Sequence, residues 1–196
     1  MAESPRIDGT AKLFYLIGPS GAGKDSLLAE LHRHLAADLP VMVPRRYITR
    51  PASAGGEDHV ALSRDAFRQR EARGSFAVTW ESHGCLYGIG HEVDHWLARG
   101  LSVVVNGSRA ALEQADRHWG PALVPVVIRV DEAVLEERLR LRGREDPDAV
   151  RARLARARAL GEPEHPSRVV VDNNGPLDRA AARLAALVAG RGSGCG

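Results

Sequence analysis

Residues Gly18-Pro19-Ser20-Gly21-Ala22-Gly23-Lys24 follow directly on the apolar run Leu13-Phe14-Tyr15-Leu16-Ile17, and leucines at helical spacing (Leu27, Leu28, Leu31, Leu35) come next. A buried strand that passes through a glycine loop into a helix is a severe constraint on fold. The spacing of Gly18, Gly23 and Lys24 fits G-x-x-x-x-G-K, the phosphate-binding loop. Such a loop must lay backbone N–H groups around phosphate oxygens, which Gly18, Gly21 and Gly23 permit. The helix N-terminus adds partial positive charge and Lys24 a full one. Residues 18–26 are therefore the candidate ATP site, with Lys24 bridging the β- and γ-phosphates. The position after Lys24 should carry a hydroxyl for Mg²⁺. It is Asp25 instead, and the hydroxyl comes one residue later, at Ser26.

The rest of the chain repeats the theme. Val41–Val43 begins a second extended segment. Leu101–Val105, Leu123–Val130 and Val169–Val171 are short β-branched runs without alternation, as strands covered on both faces require. Between and after them lie helical patterns at Leu112/Ala115, Val134/Leu135/Leu139, Val150/Leu154/Ala157 and Leu177/Ala181/Leu184/Val188. The expected fold is α/β: a P-loop NTPase fold with a parallel sheet wrapped by helices. Residues 1–190 read as a single domain with two interruptions and 191–196 as a flexible tail. The first, about 45–90, is rich in Gly, Arg, His and aromatic residues and reads as an acceptor-binding insertion. The second, about 140–148, is arginine-rich and reads as a lid.

Composition narrows the function. The 196 residues carry a formal charge of +2, which gives no reason to invoke nucleic acid. Lys12 and Lys24 are the only lysines, so the one in the glycine loop stands out against abundant arginine. No apolar run reaches the length of a membrane span, and the first residues lack the pattern of a secretory signal, so a cytoplasmic location with no membrane partner is expected. Cys85 and Cys195 do not suggest a disulfide, and the eight histidines form no metal-ligand spacing with them.

Four further stretches join the glycine loop: Tyr-Ile-Thr-Arg-Pro at 47–51, Gly-Gly-Glu-Asp-His at 55–59, His-Gly-Cys-Leu-Tyr-Gly at 83–88 and Arg-Leu-Arg-Leu-Arg-Gly-Arg at 138–144. In order and spacing the chain resembles the guanylate kinase family of P-loop nucleoside monophosphate kinases. The resemblance implies ATP and Mg²⁺ at the P-loop, a phosphorylated acceptor in the insertion, and an arginine-bearing lid closing over the phosphates. It also carries departures. The family's guanine-reading glutamate falls at Val78, the second arginine of its Thr-Thr-Arg-Pro-x-Arg motif at Ser53, its phosphate-binding tyrosine at His59, and its strand-end aspartate at Asn106. With Asp25, these departures resemble a branch of the family whose acceptor is a phosphorylated sugar, not a nucleotide.

On that reading Lys24, Arg142 and Arg153 serve catalysis, with Arg144 a further lid candidate. The lid arginines are alternatively exposed helix residues. Arg46, Arg50, Asp58, His59, Tyr87, Asn106 and Arg109 are the acceptor candidates, with Glu57 or Asp58 facing ribose hydroxyls. Asp25 is the candidate metal ligand, or alternatively a helix cap. Asp172 and Asn173 border the adenine or simply form a turn. Trp80 and Phe76 either wall the site or are packing residues, and are left out of the catalytic set. An ordinary nucleoside monophosphate kinase and a non-catalytic binding module are the competing functions, and a homodimer is left open.

Overall fold

The structure, a computed structural model, describes residues 11–35, 39, 41–54, 57–141, 151, 154–155, 158, 161 and 163–190. Arg142, Arg144 and Arg153, and most of the expected lid, lie outside the described residues.

The described residues build two sheets. A five-stranded sheet has the order β2 (Val41–Met42), β7 (Ser102–Asn106), β1 (Leu13–Ile17), β8 (Leu123–Arg129), β9 (Val169–Asp172). Its β2–β7 and β8–β9 pairs are parallel. Every residue of β1 is buried, which is why its sequence shows no polar alternation. A four-stranded sheet has the order β4 (His59–Ala61), β3 (Arg46–Ile48), β6 (Cys85–Gly90), β5 (Phe76–Ser82). The insertion expected from sequence thus contains a sheet of its own.

The chain falls into two compact units. One comprises residues 1–15 and 40–124, the other 16–39 and 125–196. In the second unit, α1 (Lys24–His34) packs against α6 (Leu177–Val188). The apolar stripe predicted for α1 is real, since Leu27 and Leu31 are fully buried. Helix α5 (Glu132–Leu141) places Leu135 and Leu139 in a small core with Leu154.

In the first unit, α2 (Arg64–Ala72) starts at Ser63, whose hydroxyl accepts the Ala66 N–H at 3.1 Å. It covers one face of the small sheet, where Phe67 stacks on Phe76 at 4.7 Å. Helix α3 (Glu92–Ala98) packs on β7, and α4 (Leu112–Trp119) packs on β5.

The turn after β7 is fixed by sterics. A Cβ on Gly107 would lie 2.2 Å from the ring of Tyr15, so only glycine passes there. The Tyr15 hydroxyl is buried, and it accepts the Ser108 N–H at 3.0 Å and donates to the Ser108 carbonyl at 3.2 Å. Burial pushes the Tyr15 phenol up to about 12, so it stays a neutral donor. Gly107→Ala should destabilise the protein by about 2–3 kcal/mol, because the rigid ring has to move. Thermal melting would then fall by roughly 4–12 °C. An unchanged melting temperature would show that the turn has room to relax.

Candidate active site

The glycine loop lies in the second unit between β1 and α1. Gly21 and Gly23 have φ of 95° and 87°, a region that side chains rarely adopt. Space is equally short. A Cβ on Gly18 would meet the Ile128 carbonyl at 2.8 Å, and one on Gly23 would meet Asn173 Nδ2 at 2.7 Å. Pro19 and Ala22 close the turn with an N–H···O bond of 3.1 Å, and Ala22 is buried. Ser20 lies within this turn. Lys24 folds back over the loop, its ammonium donating to the carbonyls of Gly18 at 2.9 Å and Pro19 at 3.1 Å. The amine is thereby held at the centre of the loop.

Helix α1 begins without a side-chain cap, because its N-cap is Gly23. Asp25 is the second helical residue, so it is not the cap that the sequence left as an alternative. It sits half-buried in the first turn, where a carboxylate is favoured by the helix dipole, and Ser26 beside it is exposed. The Asp25 carboxylate is a hard oxygen donor of the kind that Mg²⁺ takes.

Asn173 has a role the sequence did not disclose. It is buried, its own N–H donates to the Arg129 carbonyl at 2.9 Å, and its amide Nδ2 donates to the Ala22 carbonyl at 2.8 Å. It braces the glycine loop from the turn after β9. Asp172, its neighbour, accepts from the backbone and side chain of Asn174 at 3.1 and 2.9 Å, which is an Asx-type turn. The turn reading of Asp172 is the one the geometry favours.

The acceptor candidates lie in the first unit, and strand register decides which of them share a face. In β5 and β6, Trp80 is opposite Tyr87 and Val78 opposite Ile89. In β3, Ile48 is opposite Tyr87 and Arg46 opposite His59. Opposed residues lie on one side of a sheet, so Arg46, His59, Trp80 and Tyr87 share a face. Tyr47, Phe76 and Thr79 take the other, against α2. On the shared face the Trp80 and Tyr87 rings stack at 5.3 Å with 4° between planes. The Arg46 guanidinium lies 5.7 Å from the first ring and 5.2 Å from the second.

Arg46 is buried and held by Glu57 through two bonds, Nε to Oε2 at 2.8 Å and Nη2 to Oε1. Its charge is answered within the protein, which makes it a support for the aromatic pair and a poor terminal phosphate ligand. The same bonds occupy Glu57, which the sequence had offered to ribose hydroxyls. His59 is also buried, with Nδ1 facing the Glu57 carbonyl and Nε2 the Arg50 carbonyl, both at 3.0 Å. It organises the loop instead of presenting its ring outward.

Arg50 differs. Its Nε and Nη2 are enclosed yet have no hydrogen-bond acceptor among the described residues, and Nη2 lies 3.8 Å from Glu57 Oε1. Thr49 fixes the backbone just before it, exchanging main-chain and hydroxyl bonds with Leu86 at 3.0 and 2.8 Å. A guanidinium with unanswered donors is what an acceptor phosphate requires. Asp58 is exposed, 3.8 Å from Arg45. Burial raises the Tyr87 phenol above its ordinary range, so it remains a donor. Asn106 is buried at the carboxyl end of β7, and Arg109 follows in a 3₁₀ turn, half-buried, on the segment fixed by Tyr15. Val78 is fully buried and offers nothing to a base edge.

Trp80 is the site-face residue that sequence reasoning set aside. The signal was present: His83 and Gly84 both have positive φ, 49° and 73°, as a two-residue hairpin turn demands. Counting outward from that turn pairs Trp80 with Tyr87.

A glycine loop that ends in lysine at the start of a helix, after a buried strand of an α/β sheet, defines the class of P-loop nucleotide-binding proteins. The family model described as guanylate kinase matches residues 10–190, and the chain belongs to that family. Among curated proteins it is 56% identical over 178 residues to the ribose 1,5-bisphosphate phosphokinase PhnN of Desulfomicrobium baculatum, covering 91% of this chain and 94% of that one. It is 49% identical to the protein of the same name from Thiobacillus denitrificans, covering 90% and 92%, and 50% identical to that of Pantoea vagans, covering 89% and 95%. Among solved structures, guanylate kinase from Anaplasma phagocytophilum superposes with a TM-score of 0.67 at 14% identity, covering 96% of this chain and 89% of that one, a likeness of fold. No helix among the described residues is long and apolar enough to cross a membrane.

Proposed function

We propose that the chain is a ribose 1,5-bisphosphate phosphokinase, transferring the γ-phosphoryl group of ATP to the 1-phosphate of ribose 1,5-bisphosphate. The products are 5-phosphoribosyl 1-diphosphate and ADP. The observation that carries the reading is 56% identity, over nearly the whole chain, to a protein of that name. The buried Val78 supports it, since no carboxylate stands there to read guanine.

An acceptor phosphate oxygen is already anionic near neutral pH, so it attacks the γ-phosphorus without a general base while the bond to the β-phosphate oxygen breaks. The protein's part is positioning and charge compensation. Loop amides from 18–24 hold the β-phosphate, and Lys24 exchanges its two carbonyl partners for phosphate oxygens and follows the migrating charge. Arg50 holds an acceptor phosphate, with Tyr87, Asn106 and Arg109 adding donors. His59 and Glu57 act through the arginines they fix. Arg142 and Arg153 remain the proposed guanidinium partners of the transferring group.

Asp25 would hold Mg²⁺, with Ser26 hydrogen-bonding nearby, and the ion would supply charge neutralisation to the triphosphate. Asp25→Asn should raise the Mg²⁺ concentration for half-maximal turnover several-fold, which is about 1 kcal/mol in binding free energy. A Mg²⁺ titration superimposable on the parent's would remove Asp25 from the metal site.

The function is tested by offering purified protein and Mg-ATP one acceptor at a time: ribose 1,5-bisphosphate, ribose 5-phosphate, GMP and AMP. ADP release and product mass are followed. Turnover of the sugar bisphosphate alone is expected. Rapid GMP phosphorylation without it would return the chain to the nucleoside monophosphate kinases, and no turnover of any acceptor would favour a binding module.

A further inference from the structure

We propose that His91, Asp94 and His118 form a binding site for one divalent transition-metal ion of the zinc type, tying the start of α3 to the end of α4. His91 and Asp94 are three residues apart at the first turn of α3 and so share a face. His118 is the next-to-last residue of α4. His91 Nδ1 lies 2.6 Å from Asp94 Oδ2, and His118 Nε2 lies 3.0 and 3.1 Å from the two carboxylate oxygens. The three donor atoms all fall within 4.8 Å of one another. The two imidazoles are 5.7 Å apart and inclined at 58°, so they converge by their edges and do not stack.

The chemistry of the set selects the ion. Tetrahedral zinc, with bonds of about 2.0–2.1 Å, keeps its ligand atoms about 3.3–3.4 Å apart. Two imidazole nitrogens and one carboxylate suit that ion, whereas Mg²⁺ and Ca²⁺ prefer oxygen throughout. Asp94 is 6% exposed, while the His91 and His118 side chains are 42% and 27% exposed. The site is thus closed on the carboxylate side and open on the histidine side, where water completes the coordination. Trp119 supplies the outer support that ligating carboxylates need, its indole N–H donating to Asp94 Oδ1 at 2.7 Å. Burial alone would raise the Asp94 carboxyl, but bonds from His118, His91 and Trp119 outweigh it and hold the group below its ordinary range. It is therefore a carboxylate at neutral pH. Without metal the histidine N–H groups donate to it, and on binding these nitrogens release their protons to solvent and offer the freed lone pairs to the ion. The other converging set, Glu30, His34 and Asp178, has Asp178 76% exposed and no such support among the described residues.

The test uses untagged, nucleotide-free protein titrated with ZnCl₂ in competition with a chromogenic chelator, so that metal bound to ATP does not intrude. Uptake of one equivalent is expected, with affinity falling at least about tenfold in His91→Ala and in His118→Ala and unchanged in His34→Ala. Zinc should raise the melting temperature of the parent and not that of His91→Ala. His91 is the more exposed histidine, so its variant decides the matter should His118→Ala misfold. No stoichiometric uptake, uptake indifferent to His91→Ala, or uptake lost in His34→Ala would each overturn the proposal.

Discussion

Lys24→Ala is expected to lower kcat by roughly 10²–10³-fold, about 3–4 kcal/mol of transition-state stabilisation, while leaving the fold intact. The loop does not owe its shape to this side chain. Its course is set by the positive φ of Gly21 and Gly23 and by the Asn173 brace, while Lys24 donates to the carbonyls of Gly18 and Pro19. Charge that develops as the γ-phosphoryl group moves then loses its only cation within the loop. Steady-state ADP release at saturating Mg-ATP, alongside thermal melting, separates the two effects. A kcat within about threefold of the parent would deny Lys24 its role and point to a contaminating kinase in the assay.

Glu57→Gln should be the most damaging of the acceptor-face substitutions for stability. Arg46 and Glu57 have side chains only 9% and 13% exposed, and Arg50 stands 3.8 Å away. Removing the carboxylate leaves one buried guanidinium unanswered and a second facing it, a loss of about 3–5 kcal/mol. Urea unfolding measures it directly. Adding Arg46→Met should restore most of the loss, because an apolar chain under Trp80 and Tyr87 has no charge to compensate. Were Glu57→Gln to cost less than about 1 kcal/mol, the pair would be behaving as a surface salt bridge.

The donor half of the molecule was legible in sequence because strand, glycines and lysine each have a local reason to be where they are. The predicted β1 matches residue for residue, and the runs at 101–105, 123–130 and 169–171 differ from β7, β8 and β9 only at their ends. Helix α3 was not legible, since seven residues with apolar contacts at Val93 and Leu97 are too short to display a period. Residues 45–90 read as an acceptor-binding insertion, but its internal sheet was not legible, because its strands are three to seven residues long and interrupted by α2. Arg46 and Arg50 illustrate the deeper limit. Both are arginines in the same motif region, and both were candidates to hold phosphate. Only the position of Glu57, eleven residues from Arg46 along the chain, tells the answered charge from the other. The metal-ligand convergence of His91 with His118 was likewise hidden, since the spacing that matters there is between two helices and not along one.

The Asn173 brace has a consequence for how the protein is born. It joins residues 151 positions apart, and its amide is what pins the Ala22 carbonyl inside the glycine loop. On the ribosome, the loop emerges early and its last support late. Nucleotide in the cell therefore meets a nascent chain whose cradle is unfinished until translation has passed β9. A ligand that binds this loop would therefore stabilise a nearly complete molecule and not its first turn.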